Sequence, residues 1–139
     1  AHGLILPRDR AAAVTPAAVR ASAGATEQLP VARVTNLAAF LEWVKGQGVW
    51  VVGADPTGGS LLYAADLREP VALVIGAEGG GLRPLIKTRC DMRVRIPLAG
   101  KVASLNASSA AAICIFEVIR QRSGTKAGRD LSSHLRMLL

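Results

Sequence analysis

The sequence predicts a single α/β domain with a mostly parallel sheet and helices on both faces. Short uninterrupted apolar runs at residues 3–6, 49–52 and 71–75 alternate with segments of helical periodicity. Continuous apolar strands separated by helices are typical of parallel sheets that are covered on both sides. The 139 residues suffice for one packed domain, and a hydrophobic fraction of 50% argues against a disordered chain.

The other elements follow from capping residues and apolar spacing. Thr15 and Pro16 form a helix start, and Asn36 can cap a second helix that ends near Gly46. The long last helix is apolar on most sides, so we expect it to be largely buried. The predicted elements are, in order, a helix at 17–23, a strand at 29–34, helices at 37–45 and 84–89, a strand at 94–97 and a helix at 105–122. We expect the domain to span residues 1–122 and a C-terminal tail to span residues 123–139.

The net charge favours a polyanionic partner. Seventeen Lys and Arg residues against ten Asp and Glu give a formal charge of +7, and nucleic acid is the first candidate for such a surface. Charge alone leaves open that the arginines only keep an apolar domain in solution. The longest uninterrupted apolar run, residues 110–116, is far shorter than the ~20 residues that span a bilayer. We therefore expect a cytoplasmic protein that uses no membrane.

The two cysteines give no sign of a metal site. Cys90 and Cys114 lack the CxxC spacing and the neighbouring histidines of zinc ligands. We expect reduced thiols and no bound metal. Trp43 and Trp50 each lie inside an apolar element, so we expect both in the core rather than on a base-stacking surface.

A glycine-rich turn directly follows the strand at residues 71–75. Residues 76–81 contain four glycines and the carboxylate of Glu78. Ligands of open α/β sheets bind at the carboxyl ends of strands, where glycines allow the backbone to approach them closely. The turn is neither GxGxxG nor followed by Gly-Lys-Ser/Thr, so a phosphate cradle of the usual kinds is rejected.

A second polar cluster lies at the start of the long helix. Ser104, Asn106, Ser108 and Ser109 bring hydroxyl and amide groups to a helix N-terminus. Helix capping can account for one or two of these side chains but not obviously for all four.

Three stretches together resemble a known family. IGAEGGGL, RIPLAG and VASLNASSAAAICIFEVIRQR resemble motifs two and three of the SpoU (TrmH-type) branch of the SPOUT RNA methyltransferases. The resemblance is most specific over residues 71–122 and weaker back to Gly3. It is nearest to the enzymes that methylate a guanosine ribose 2′-hydroxyl in large-subunit (23S) ribosomal RNA, with transfer RNA ribose 2′-O-methyltransferases as the alternative.

The resemblance implies an α/β domain of the SPOUT type with a C-terminal trefoil knot, a homodimer and S-adenosyl-L-methionine as cofactor. Ser104 and Asn106 would position the ribose or the methionine end of the cofactor, and Glu78 would order the loops or take part in the chemistry. The residues implied to contact the cofactor are Gly76, Ile96 and Leu105, largely through their backbone, and Ala77, Glu78, Gly79, Pro97 and Leu98 around them.

Basic residues near the implied site are candidates for RNA phosphate contacts. We expect Arg8, Arg83 and Lys87 to bind RNA, with Arg89, Arg93 and Arg95 nearby. Any single one of these side chains could equally be a solvated surface charge.

The family's first motif has no counterpart in the sequence. That motif is an Asn-x-Gly stretch followed by an arginine, whereas the only asparagines here are Asn36 and Asn106. We therefore expect an N-terminally truncated domain with weak or no activity. A catalytically inert RNA-binding or dimerisation module is the competing hypothesis. A domain that binds ATP or NAD is disfavoured by the glycine spacing.

Overall fold

A computed structural model describes residues 1–8, 25–76, 80–99 and 104–124. The helix predicted at residues 17–23 and most of the predicted tail lie outside these ranges. The described elements are β1 (Leu4–Pro7), α1 (Ala25–Gln28), β2 (Val31–Val34), α2 (Leu37–Gly46), β3 (Trp50–Ala54), β4 (Ser60–Leu61), a 3₁₀ turn (Leu62–Ala64), β5 (Val71–Ile75), α3 (Pro84–Arg89), β6 (Met92–Arg95) and α4 (Ala107–Ser123).

Every strand pair described is parallel. The strands β4, β6, β3 and β5 form one sheet in that order, and β1 pairs with β2 in a second sheet. An apolar cavity of about 280 Å³ lies between β1 and β5 and is also lined by α2 and α4. The prediction of a mostly parallel α/β domain is confirmed.

The strand β5 carries the core on both of its faces because successive side chains of a strand point in opposite directions. Val71 and Leu73 belong to the same core cluster as Val118 of α4. Ala72 and Val74 belong to a second cluster with residues of α2. Helices therefore cover both faces of the sheet, as the continuous apolar run predicts.

Side-chain caps fix where the two longest described helices begin. The Oδ1 atom of Asn36 accepts a hydrogen bond from the backbone N–H of Ala39 at 3.0 Å. The Oδ1 atom of Asn106 accepts one from the N–H of Ser108 at 2.8 Å. These bonds satisfy N–H groups that have no partner within the first helical turn.

Three sequence expectations about burial and bounds are wrong. Trp43 and Trp50 are 60% and 52% exposed, because Leu41 and Val44 already occupy the face of α2 that meets the sheet and Trp50 is the first residue of its strand. The long helix is not largely buried, since Phe116 is 69% exposed. The last strand is Met92–Arg95 rather than 94–97, because its ladder to β3 begins at Met92.

Within the described ranges, no helix combines the length and the apolar character that crossing a membrane requires.

Candidate functional site

A cavity of about 250 Å³ opens at the carboxyl ends of β3, β5 and β6. Its walls come from the loop after β3, the glycine-rich turn after β5, the segment after β6 and the first turns of α4. The volume is close to the lower end of the range for small-molecule sites, roughly 300–1,000 Å³. The position is the one at which open parallel sheets bind their ligands.

The glycine-rich turn is folded so tightly that Gly76 and Gly81 are in backbone contact. A Cβ atom on Gly76 would lie 2.5 Å from the carbonyl oxygen of Gly81 and 2.8 Å from its Cα. Gly81 itself has a φ of +61°, a left-handed conformation that side chains disfavour. Glycine is therefore required at both positions, and the cavity wall here is bare backbone.

The opposite wall carries the buried carboxylate of Asp55, which directly follows β3. The side chain of Asp55 is only 1% exposed. Its Oδ1 accepts hydrogen bonds from the backbone N–H and the hydroxyl of Thr57, each at 2.9 Å. Its Oδ2 lies 2.8 Å from Nζ of Lys87 and 3.5 Å from a guanidinium nitrogen of Arg93. A carboxylate this deeply buried is stable only because cations and donors surround it.

These partners decide the protonation state of Asp55. Burial by itself raises the pKa of the Asp55 carboxyl, but the contacts with Lys87 and Thr57 outweigh burial and lower the pKa to about 2. The carboxyl group is therefore ionised at neutral pH and forms a buried ion pair with Lys87 at the edge of the cavity.

The remaining wall comes from the segment between β6 and α4. Ile96, Leu98, Ser104 and Leu105 line the cavity, and Ala110 lines it from the end of the first turn of α4. Ser104 supplies a hydroxyl in an otherwise apolar part of the wall. Small residues on α4 leave room for a ligand to lie against the helix.

The structure brings many of the sequence-predicted site residues together and places others apart. Residues predicted to contact a cofactor or substrate that do line the cavity are Gly76, Ile96, Leu98, Ser104 and Leu105. Pro97 and Asn106 are exposed and do not line it; Asn106 caps α4 instead. Ala77, Glu78 and Gly79 lie outside the described residues.

The basic residues divide into exposed and partnered side chains. Arg8 and Arg83 are exposed and outside the cavity wall. Lys87, by contrast, lines the cavity and pairs with Asp55. Arg89 lies 3.4 Å from Glu42. These contacts assign Lys87 a place in the cavity wall, in addition to any role toward RNA.

Sequence reasoning missed Asp55 and Thr57 as site residues. The available signal was that Asp55 is the first residue after a buried strand adjacent to β5, so that its carboxylate comes to the same sheet edge as Gly76.

The thiols are free and play no part in the cavity wall. Cys90 is half-buried and Cys114 is buried. Burial raises the pKa of each thiol to about 11, so both are protonated at neutral pH. Among the residues that the structure describes, no three His, Cys, Asp or Glu side chains gather as metal ligands.

The fold and the cavity define a class: an open parallel α/β domain that binds a small molecule at the carboxyl edge of its sheet. The SpoU rRNA Methylase family model matches residues 1–116, so the chain belongs to this family. The similarity recognised in the glycine-rich turn and in the segment before α4 is thereby confirmed.

Individual relatives support the same assignment. A 23S rRNA (guanosine-2′-O-)-methyltransferase, RlmB, of Coxiella burnetii is 47% identical over 121 residues, which cover 87% of this chain and 48% of that protein. The crystal structure of the SpoU methyltransferase AviRb from Streptomyces viridochromogenes in complex with the cofactor AdoMet has a TM-score of 0.81 at 38% identity. The match covers 89% of this chain and 51% of that one.

A third relative acts on a different RNA. The crystal structure of the A. aeolicus TrmH/SpoU tRNA modifying enzyme has a TM-score of 0.76 at 27% identity and covers 88% of this chain and 63% of that one. The chain spans about half the length of the curated relatives that it matches.

The residues around the cavity fit a nucleoside cofactor of this kind. The bare backbone at Gly76 and Gly81 lets a flat ring approach main-chain N–H and C=O groups without meeting a Cβ atom. Apolar side chains of Ile96, Leu98 and Leu105 can cover the faces of such a ring. Lys87 and Ser104 provide polar groups for the remainder of the molecule.

Proposed function

We propose that this chain is the catalytic, cofactor-binding domain of an S-adenosylmethionine-dependent RNA ribose 2′-O-methyltransferase whose substrate is a guanosine of 23S ribosomal RNA. The observation that carries the proposal is the cavity at the carboxyl edge of the sheet, with bare backbone on one wall and apolar side chains on another. Membership of the family and the name of the Coxiella relative support the reaction class and the target.

The cofactor would supply an activated methyl group on a sulfonium. Transfer would replace the sulfur–methyl bond by a bond to the ribose 2′ oxygen, with the 2′-hydroxyl proton released to solvent and S-adenosylhomocysteine left as the product. This chain's part is to hold and orient the reacting groups, because correct alignment supplies much of the rate enhancement in such a transfer.

The roles of individual residues follow from where they lie. Backbone groups of Gly76, Ile96 and Leu105 hold the adenosine part, and Leu98 covers it. Ser104, which lies just before the N-terminus of α4, orients the ribose or the methionine end of the cofactor. The assignments of Ala77, Glu78, Gly79, Pro97 and Asn106 rest on their positions in the two family motifs.

RNA would approach the edge of the sheet where the cavity opens. The exposed guanidinium groups of Arg8 and Arg83 can contact phosphates, which gives affinity without reading sequence. The charge of +7 on the whole chain supports a polyanionic partner.

The trefoil knot and the homodimer are part of the same proposal. The segments after β5 and β6 line the same cavity, and this proximity supports a knotted path of the chain. The exposure of Phe116 on α4 leaves an apolar surface for a second copy. We propose residues 1–122 as the methyltransferase domain and residues 123–139 as a separate tail.

Binding of S-adenosylmethionine to the complete protein tests the site. An Ala110→Leu variant would place a larger side chain in the cavity, and we expect it to weaken binding about tenfold or more because the cofactor must share its space. Ala112→Leu is the matched control, since Ala112 is an exposed residue of the same helix. Calorimetric titration measures both variants, and equal affinities would contradict the proposed site.

The reaction is tested separately with RNA. The complete protein, labelled cofactor and ribosomal RNA should yield 2′-O-methylguanosine, which mass spectrometry of the digested RNA identifies. Methylation of transfer RNA alone would contradict the proposed substrate. Cofactor binding without transfer to any RNA would favour the inert module.

A further inference from the structure

A carboxylate and an ammonium group form an ion pair in the wall of the cavity. Among the described residues that line it, Asp55 is the one carboxylate and Lys87 the one ammonium group. Their charged atoms lie 2.8 Å apart, and the side chain of Lys87 is 28% exposed against 1% for Asp55. Arg93 adds a second positive charge 3.5 Å from the same carboxylate oxygen.

The family motifs do not account for this pair. Asp55 follows β3, whereas the motifs run through the turn after β5 and the segment before α4. The cofactor in the proposed function carries a positive sulfonium, and the product differs from it by one methyl group and that one charge. Any fixed charge in the wall must therefore act differently on cofactor and product.

We propose that Asp55 is a positioning residue that compensates the positive charge of Lys87 and Arg93 at the cavity wall and thereby limits the repulsion of the cationic cofactor relative to its neutral product. The inference rests on the proposed function. Without the carboxylate, Lys87 and Arg93 would place uncompensated positive charge beside the cavity and repel the sulfonium. The neutral thioether of S-adenosylhomocysteine would feel no such repulsion.

Asp55 also has a structural task, which the test must separate from the electrostatic one. Its Oδ1 accepts two hydrogen bonds from Thr57, and its backbone N–H donates to the carbonyl of Val94 at 2.9 Å. An asparagine keeps the shape, the backbone bonds and an oxygen for Thr57 but carries no charge. Damage to the loop would weaken binding of both ligands alike, whereas loss of the charge changes their ratio.

The experiment compares two affinities in the complete protein. Calorimetric titrations with S-adenosylmethionine and with S-adenosylhomocysteine give a ratio of dissociation constants for each variant. In Asp55→Asn we expect the ratio to shift against S-adenosylmethionine by roughly fourfold to fifteenfold, the order of magnitude for one unit charge acting over roughly 10 Å at an effective dielectric of about 20–40.

Two further variants give the opposite arms of the test. Lys87→Met should shift the ratio toward S-adenosylmethionine, because Asp55 and Arg93 then balance and the positive charge of Lys87 no longer repels the sulfonium. The double variant should return the ratio to within about twofold of the parent. Lys45→Met is the control, because Lys45 pairs with Glu42 at 3.2 Å and with Asp91 at 3.8 Å and does not line the cavity.

The outcomes are distinguishable. An unchanged ratio in Asp55→Asn, or equal losses for both ligands, would overturn the inference and leave the proposed function standing. If Asp55→Asn does not fold, an unchanged ratio in Lys87→Met overturns the inference instead. A parent protein that binds neither ligand would contradict the proposed function and the inference together.

Discussion

The backbones of Gly76 and Gly81 are in such close contact that a single added methyl group on Gly76 could not be accommodated. A Cβ atom there would lie 2.5 Å from the carbonyl oxygen of Gly81. This contact closes the turn after β5 on itself and defines one wall of the cavity. Both the stability of the turn and the shape of the site therefore require a residue without a side chain at position 76.

A Gly76→Ala substitution should destabilise the protein by about 1–3 kcal/mol, because the turn must open to relieve the overlap. It should also weaken S-adenosylmethionine binding, since the wall moves with the turn. Gly80→Ala is the matched control, because a Cβ atom on Gly80 meets nothing within 4 Å. Denaturant unfolding measures both variants, and equal free energies of unfolding would contradict the close contact.

The buried pair of Asp55 and Lys87 predicts a pH dependence of stability. The pKa of Asp55 is about 2 in the folded protein, against 3.8 for an unperturbed aspartate carboxyl. Because the folded value is the lower one, the stabilisation is complete above about pH 4 and is lost as the pH falls toward 2. The shift corresponds to about 2 kcal/mol at neutral pH.

Denaturant unfolding at pH 6 and at about pH 2 measures most of this contribution as a difference of free energies. Asp55→Asn should reduce the pH dependence over this interval. Asp66→Asn is the control, since Asp66 also has a pKa lowered to about 2 but forms an exposed pair with Arg68 that solvent screens. A larger effect from Asp66 than from Asp55 would show that burial does not determine the contribution.

Gln121 connects α4 to the loop that precedes β5 through two hydrogen bonds of its side chain. Its Oε1 accepts a hydrogen bond from the N–H of Leu67, and its Nε2 donates to the carbonyl of Ala65, each at 2.8 Å. Leu67 is fully buried, so a Gln121→Ala change leaves a buried N–H unpaired and should cost about 2 kcal/mol. Thermal unfolding measures this loss of stability. Gln47→Ala, at an exposed position, is the control and should lose little stability in the same assay. Similar losses of stability in both variants would contradict a stabilising role for the Gln121 hydrogen bonds.

Elements bounded by unambiguous local signals could be predicted closely from the sequence. The strand β5 was predicted at its observed bounds because a continuous apolar run lies between Pro70 and Gly76. The helix α3 begins at Pro84, a residue whose fixed φ suits a first helical turn. The glycine density likewise predicts a stretch of bare backbone, which the structure has at Gly76 and Gly81 in the cavity wall.

Contacts between distant parts of the chain could not be predicted in this way. Asp55 was missed because its partner Lys87 reaches it only when α3 packs beside the loop after β3. Trp43 was misplaced because apolar spacing alone did not show that Leu41 and Val44 fill the buried face of its helix. In both cases the deciding information is which side of an element meets the sheet.

Phe116 tests the proposed homodimer. Its side chain is 69% exposed although it lies in the middle of the apolar helix α4. If a second copy covers this surface, Phe116→Glu would bury an unpaired charge in the interface, which is far more costly than exposing it to water. We expect this variant of the complete protein to be monomeric in size-exclusion chromatography with light scattering, with the parent dimeric.

Trp43→Glu is the matched control, because Trp43 is 60% exposed on a different helix, and the variant should remain a dimer. A parent monomer, or a Phe116→Glu variant that still dimerises, would contradict the proposal that α4 forms the interface.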